Sequence, residues 1–316
     1  MASVSLSAII LGLLQLANIL GLVLWSMVSP LLRLCRKKHS PDFSCDIVLI
    51  TGGAQGLGRE LAFLFSSAGA TIVLWDINQE KLRETVSEIT ARGCEAFGYV
   101  VDVSKREEIE KGAERVREEV GNVSVLVNNA GIMFGKSIMD SDDAQVDLTF
   151  KINTLAYYRT VKSFLPWMLQ NNYGYVVNIC SIVSYEGMPR LWDYSASKAA
   201  VLSFSETLRK ELRLAGKNGV SVTAVFPYYI STGMLSYSNT LTSYLPPLDP
   251  KDVAMKTVNA TCEKKFCIHL PSFLYWGNLV KFFLPTKAYD ESMSLFFGDQ
   301  YVTNLKVRNY LSSGEK

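Results

Sequence analysis

Hydrophobic positions along the chain fall into two regimes. Residues 1–32 carry no charged side chain, whereas from residue 46 onward short apolar runs alternate with longer stretches whose apolar residues recur at helical spacing. Asp46–Thr51 reads as a strand, Gly52, Gly53, Gly56 and Gly58 as a tight turn, and Leu61–Phe65 as the apolar stripe of a helix. The rhythm continues with strands over Ala70–Asp76 and Phe97–Asp102, and helices over Lys81–Arg92 and Glu107–Val120. Ser124–Asn128, with Val125, Leu126 and Val127 uninterrupted, suits a strand covered on both faces. Phe150–Leu169 and Tyr194–Leu214 read as helices, Tyr175–Cys180 and Val220–Phe226 as strands. Such alternation predicts an α/β fold: a parallel sheet with helices on both faces.

At about 1.5 Å per residue, the first regime is long enough to cross hydrocarbon. Arg33, Arg36, Lys37 and Lys38 follow it rather than precede it, unlike the order in a cleaved leader. The expectation is a retained N-terminal hydrophobic membrane anchor, either spanning or lying flat, with the following domain on the cytosolic side. Residues 33–44 then form a basic linker.

Composition narrows the class. The chain has 316 residues, 48% hydrophobic and 20% charged, which supports a folded domain over a fibre or a disordered tail. Four of its 32 Lys and Arg fall within Arg33–Lys38, leaving 28 cations against 30 acidic residues elsewhere. That near-neutrality argues against a polyanion surface, so no nucleic-acid partner is expected. The six cysteines lack zinc-cluster spacing and read as reduced thiols, and His39 and His269 are placed for neither a metal site nor a hydrolase triad.

The chemistry concentrates at strand ends. Thr51–Gly58 sits where a strand stops and a helix starts, so missing side chains let a pyrophosphate approach the helix N-terminus; Gly52, Gly56 and Gly58 are the contact candidates. Asp76, eighteen residues beyond Gly58, ends the second strand; a carboxylate there accepts ribose hydroxyls and repels a 2′-phosphate, favouring NAD over NADP. Asp102 and Val103 follow the third strand and Asn128–Gly131 ends the fourth, placing further polar groups along the same edge. Tyr194 and Lys198 stand four apart on one helix face, so the ammonium can favour the phenolate that removes an alcohol proton. Ser181, thirteen residues before Tyr194, can bond the same reacting oxygen, and Asn153 can hold water near Lys198. Tyr158 and Lys162 repeat the four-residue spacing without a matching serine at a strand end.

In these motifs the chain resembles the short-chain dehydrogenase/reductase family over roughly residues 45–260. The resemblance implies a Rossmann-like doubly wound sheet, a nicotinamide cofactor, and catalysis by Asn153, Ser181, Tyr194 and Lys198. The cofactor contacts it implies also include Leu57, Asn129, Ala130, Gly131, Tyr194, Lys198, Pro227 and Thr232. Where the family commonly has Pro-Gly, this chain has Pro227-Tyr228, so Tyr228 either restricts the loop or becomes a pocket wall. The apolar N-terminus, Leu74-Trp75-Asp76-Ile77 and the C-terminal region resemble membrane-associated retinol dehydrogenases and epidermal retinal dehydrogenases. That implies a lipid-soluble alcohol or carbonyl substrate, foremost all-trans-retinol, with a 17β-hydroxysteroid or NADP-dependent retinaldehyde reduction as alternatives and an inactive nucleotide-binding scaffold as the non-enzymatic one. Ser181, Tyr194, Tyr228 and Leu235 are the substrate-contact candidates, and residues 261–316 an apolar substrate or membrane-contacting extension that includes Phe273–Phe283. Contact with membrane lipids, residence at the endoplasmic reticulum membrane or a lipid-droplet surface, and a homodimer complete the expectations.

Overall fold

The uninterrupted apolar runs become the centre of a seven-stranded parallel sheet. The computed structural model describes residues 40–232, 235–236, 246–297 and 306–307. The chain divides into two compact units, Met1–Ser40 and Pro41–Lys316, and the sheet belongs wholly to the second. Its strands are β1 (Ile47–Thr51), β2 (Thr71–Asp76), β3 (Ala96–Val100), β4 (Val125–Asn128), β5 (Gly174–Ile179), β6 (Val220–Pro227), β7 (Leu235–Ser236), β8 (Cys267–Leu270) and β9 (Lys306–Val307). The large sheet runs β3-β2-β1-β4-β5-β6-β8, and β7 pairs antiparallel with β9 in a separate ribbon. β8 extends the sheet past residue 260.

Side chains alternate along each strand, so one sheet feeds two cores. In β1, Val48 and Ile50 face one core and Leu49 the other, all fully buried; in β4, Val125 and Val127 oppose Leu126 in the same way. Helices α1 (Gly56–Ser67) and α2 (Gln79–Ala91) cover the first face, together with α7 (Pro250–Cys262). Helices α3 (Arg106–Glu119), α5 (Ala156–Asn171) and α6 (Trp192–Leu214) cover the second. Short α4 (Asp143–Phe150) leads through a π-helical turn, Lys151–Leu155, into α5, and α8 (Leu274–Phe283) and α9 (Thr286–Phe297) follow β8. Each buried aliphatic or aromatic side chain contributes about 1.5–3 kcal/mol, which is why the apolar runs set the layer order.

Strand order reverses between β1 and β4, since the chain winds outward from β1 through β2 and β3 and then resumes on its other side. Crossovers that leave in opposite directions open a crevice at the carboxyl ends of those two strands. Beneath it lies a buried polar brace. Asn128 Nδ2 donates to Asn178 Oδ1 at 2.9 Å, Asn178 Nδ2 to Ser205 Oγ at 2.9 Å, and Thr160 Oγ1 to Asn128 Oδ1 at 2.6 Å. β4, β5, α5 and α6 are thereby held in register under the site.

One expectation is corrected. Among the described residues no helix is long and apolar enough to cross a membrane. The longest, α6, has 23 residues but carries charges from Asp193 to Arg213, and α8, with 10, spans about 15 Å of the roughly 30 Å required. The N-terminal hydrophobic stretch expected to act as anchor lies outside the described residues. The fold is therefore a Rossmann-like parallel α/β sheet with no membrane-spanning helix in its described part, and placement at the endoplasmic reticulum membrane or a lipid-droplet surface, which rested on the N-terminal anchor, has no support in it.

Candidate active site

A cavity of about 400 Å³ opens over the β1–β4 crevice and continues past the ends of β5 and β6. Its first half is built by the glycine turn. Gly52 (φ +63°) and Gly56 (φ +56°) take left-handed conformations that side chains resist. At Gly58 the reason differs, because a Cβ would lie 2.1 Å from the Gly52 carbonyl oxygen. Gly52, Gly56 and Leu57 line the cavity; Gly58 does not, and its part is to let α1 pack against the turn. No side chain caps α1, so its first N–H groups remain free for an anionic ligand.

Residues after β4 hold this turn in place. Asn129 Nδ2 donates to the carbonyls of Thr51 and Gly52, both at 3.0 Å, while the amides of Asn129 and Ala130 donate to Thr51 Oγ1 at 3.0 and 3.1 Å. Thr51, the first residue of the glycine motif, thus acts as a brace for the turn. Asp76 lines the cavity at the end of β2, its carboxylate accepting from the amides of Ala54 at 3.0 Å and Asn78 at 2.9 Å. Asp102 and Val103 line it beyond β3, as do Asn129, Ala130 and Gly131. Burial opposes the charge of Asp102, but the Ser104 hydroxyl and amide and the Lys105 ammonium outweigh it and hold the carboxyl below its usual range.

The second half carries the reactive groups. Ser181 follows β5, and Tyr194 and Lys198 rise from the first turns of α6, all three facing the cavity. Apolar walls push the Tyr194 phenol up to about 12, with a hydrogen bond to Ser181 working against that rise. Burial draws Lys198 down to about 8. The expected approach of ammonium to phenol is one of proximity rather than a direct bond: Lys198 Nζ lies 5.8 Å from the Tyr194 ring centroid and donates to the Ile179 carbonyl at 2.7 Å and the Tyr157 hydroxyl at 3.2 Å. An ammonium close to the ring favours the ionised phenol.

Asn153 sits in the π-helical turn, a distortion frequent at functional sites. It is fully buried behind the cavity wall. Its amide accepts from Ile132 N at 2.8 Å and donates to Ile132 O at 2.9 Å and Ser197 Oγ at 3.1 Å, so the side chain is committed to protein partners. Tyr158 and Lys162 separate from the site: both are exposed, and Tyr158 meets Phe204 edge-on.

Pro227, Tyr228 and Thr232 line the cavity after β6. Tyr228 is buried, its backbone lies outside the left-handed region, and its amide donates to the Leu270 carbonyl at 2.7 Å, so this loop has no need of glycine. Leu235 is in β7, where its backbone pairs with Val307. From the C-terminal segment the cavity takes Leu274, Gly277 and Tyr289, while Phe273, Trp276, Phe282 and Phe283 are exposed. Glu186, another wall residue that motif reading passed over, accepts from Lys281 Nζ at 2.8 Å and from the Tyr289 hydroxyl at 2.9 Å, tying α8 and α9 to the rim. His269 packs instead of lining the cavity: it stacks on Phe226 at 4.7 Å, and burial pulls its imidazole down to about 4.

The residues present fit a nicotinamide dinucleotide. The turn approaches too closely for a Cβ at Gly58, uncapped amides begin α1, and carboxylates stand at the ends of β2 and β3. Comparison with known proteins bears on the same point. A family model described as short chain dehydrogenase matches residues 46–241. The chain is 38% identical to human epidermal retinol dehydrogenase 2 over 85% of its own length and 88% of the relative's. It is 37% identical to mouse estradiol 17-beta-dehydrogenase 11 over 82% of its length and 87% of the relative's. Its fold is similar to a Burkholderia phymatum short chain dehydrogenase/reductase crystallised with NAD, with a TM-score of 0.68, 28% identity, and coverage of 75% of this chain and 92% of the other. A metagenomic short-chain oxidoreductase in complex with NADP gives a TM-score of 0.61 at 27% identity, covering 73% and 98% of the two chains.

Proposed function

The chain belongs to the short-chain dehydrogenase/reductase family, an NAD(P)-dependent oxidoreductase with a Ser, Tyr, Lys and Asn network, and from that premise we propose that it oxidises all-trans-retinol to retinal with NAD. The observation that carries this reading is one continuous cavity with a dinucleotide cradle at one end and Ser181, Tyr194 and Lys198 beneath apolar walls at the other. Those walls, among them Ile182, Val183, Met188 and Leu191, suit a lipid-soluble alcohol.

Bound NAD supplies the hydride acceptor for the alcohol carbon. Ser181 Oγ and the Tyr194 hydroxyl hold the alcohol oxygen, and Tyr194 Oη takes its proton as the carbonyl forms. Lys198, kept cationic beside Tyr194, favours the phenolate that this step needs. With the cofactor bound, Gly52, Gly56 and Leu57 would receive its pyrophosphate at the start of α1, Asn129, Ala130 and Gly131 would border it along the crevice they line, and Pro227 and Thr232 would hold the nicotinamide end. Asn153 supports the wall through its side-chain bonds to Ile132 and Ser197.

Asp76 supports NAD over NADP, because its carboxylate accepts ribose hydroxyls and repels an added phosphate. Asp76→Ala should move relative affinity about tenfold toward NADP, read from fluorescence titrations with both cofactors. An unchanged ratio removes Asp76 as the discriminator.

An anaerobic product scan with NAD across retinoids and hydroxysteroids tests the substrate. Retinal as the main product is the expected result. A ketosteroid as the main product replaces the reading with 17β-hydroxysteroid oxidation, faster NADPH-driven retinal consumption replaces it with reduction, and tight cofactor binding without turnover replaces it with a scaffold.

A further inference from the structure

Lys198 has a buried partner that its spacing from Tyr194 does not reveal. The lysine is 2% exposed, and its ammonium has three N–H donors to place. Ile179 O takes one at 2.7 Å and the Tyr157 hydroxyl another at 3.2 Å. Tyr157 donates in turn to the same Ile179 carbonyl at 3.3 Å, closing a triangle between α5, α6 and the end of β5. At 1% exposure, Tyr157 is shielded from bulk water, and a bond to a charged group gains strength in that interior. Lys198 Nζ also lies 5.0 Å from the Tyr157 ring centroid, nearer than the 5.8 Å to Tyr194.

The remaining groups around the ammonium cannot take this part. Asn153 is committed to Ile132 and Ser197. Cys180, at the end of β5, stays a neutral thiol because burial pushes it up to about 12. Tyr194, on the same helix as the lysine, is the group to be activated. Among the described residues, the hydrogen-bond acceptors that meet Lys198 are therefore the Ile179 carbonyl and the Tyr157 hydroxyl.

We infer that Tyr157 is a positioning residue for Lys198: with the Ile179 carbonyl it takes two of the three N–H donors, leaves one for the reacting side of the cavity, and keeps the ammonium charged beside Tyr194. This rests on the Tyr194 and Lys198 proton chemistry proposed above. The hydroxyl acts in two ways, as an acceptor that offsets the desolvation of the charge and as a stop that prevents the flexible lysine stem from choosing another rotamer.

Tyr157→Phe removes the acceptor and keeps the ring. Its first readout needs neither cofactor nor substrate: pH-dependent competitive acetylation of Lys198, followed by peptide mass spectrometry. The reactive amine should emerge at lower pH than in the wild type, where burial already brings Lys198 to about 8. With NAD and retinol, kcat at neutral pH should fall about tenfold and the KM for retinol should hold, because the loss concerns proton transfer rather than the apolar wall. Tyr157→His returns a ring acceptor and should restore part of kcat; it carries the same comparison should the Phe variant fail to fold. An unchanged acetylation midpoint with unchanged kcat overturns the role of Tyr157 while Tyr194→Phe stays inactive. If Tyr194→Phe is itself as active as wild type, the underlying proton chemistry fails instead.

Discussion

Tyr194→Phe should lower kcat for alcohol oxidation about a thousandfold while leaving NAD affinity close to wild type. The phenol oxygen is the one group on α6 that lies in the cavity beside Ser181 and can take the alcohol proton, and the ring that shapes the wall survives the substitution. A variant within tenfold of wild type would falsify the assignment. Oxidation by the wild type should accelerate as pH rises toward about 8, since burial holds the phenol up near 12 and deprotonation enlarges the phenolate population, and should gain less above about 8, where Lys198 loses the charge that favours the phenolate.

Lys198 adds a linked stability measurement. It titrates at about 8 in the fold against its usual 10.5, so between those values the unfolded chain binds more protons and stability rises with pH. Below about 8 the full burial penalty is present. Lys198→Met removes that dependence. Relative to wild type, the variant should fare best near pH 7 and lose ground as pH climbs toward 10.5, with little turnover throughout. The substitution also takes the lysine donor from the Tyr157 hydroxyl and from Ile179 O, which keeps its bond from Tyr157, but that loss is nearly independent of pH. Urea melts across the range therefore read the slope, and parallel curves for the two proteins would contradict the buried ammonium.

Gly58→Ala should damage fold and cofactor affinity together. The added Cβ would stand 2.1 Å from Gly52 O and 2.7 Å from Asn129 Nδ2, so either the turn or the brace to Thr51 must shift. Forced overpacking of this kind costs about 1–3 kcal/mol, and a displaced turn should weaken NAD binding by at least about tenfold. Gly187→Ala is the matched control, because a Cβ there meets nothing within 4 Å. Urea melts and NAD titrations of the two variants check the contrast; equal behaviour would mean that the close approach at Gly58 relaxes freely.

Much of this site was legible because its parts are local. Val125, Leu126 and Val127 announced a doubly covered strand, since only burial on both faces favours an unbroken apolar run. The glycine turn announced itself by backbone demands, and Tyr194 with Lys198 by helical spacing. Tyr157 escaped notice because its partner is forty-one residues away in α6 and nothing in its own helix marks it; its one clue was a position one turn after Asn153. Adjacent Tyr158, which does show the four-residue spacing to a lysine, is exposed. Glu186 and Tyr289 were hidden for the same reason, being brought together only when α9 folds back over the cavity rim.

By itself the amino-acid order determined the strand and helix alternation, the carboxylate at the end of β2 and the face shared by Tyr194 and Lys198, because backbone period and side-chain chemistry act over a few residues. Only the tertiary structure decided which groups surround Lys198, that Asn153 braces the wall with its amide, that Tyr228 lines the cavity without strain, and which C-terminal residues reach the substrate end. Those outcomes depend on how distant segments pack, and packing is settled by the summed burial of the whole sheet rather than by any motif.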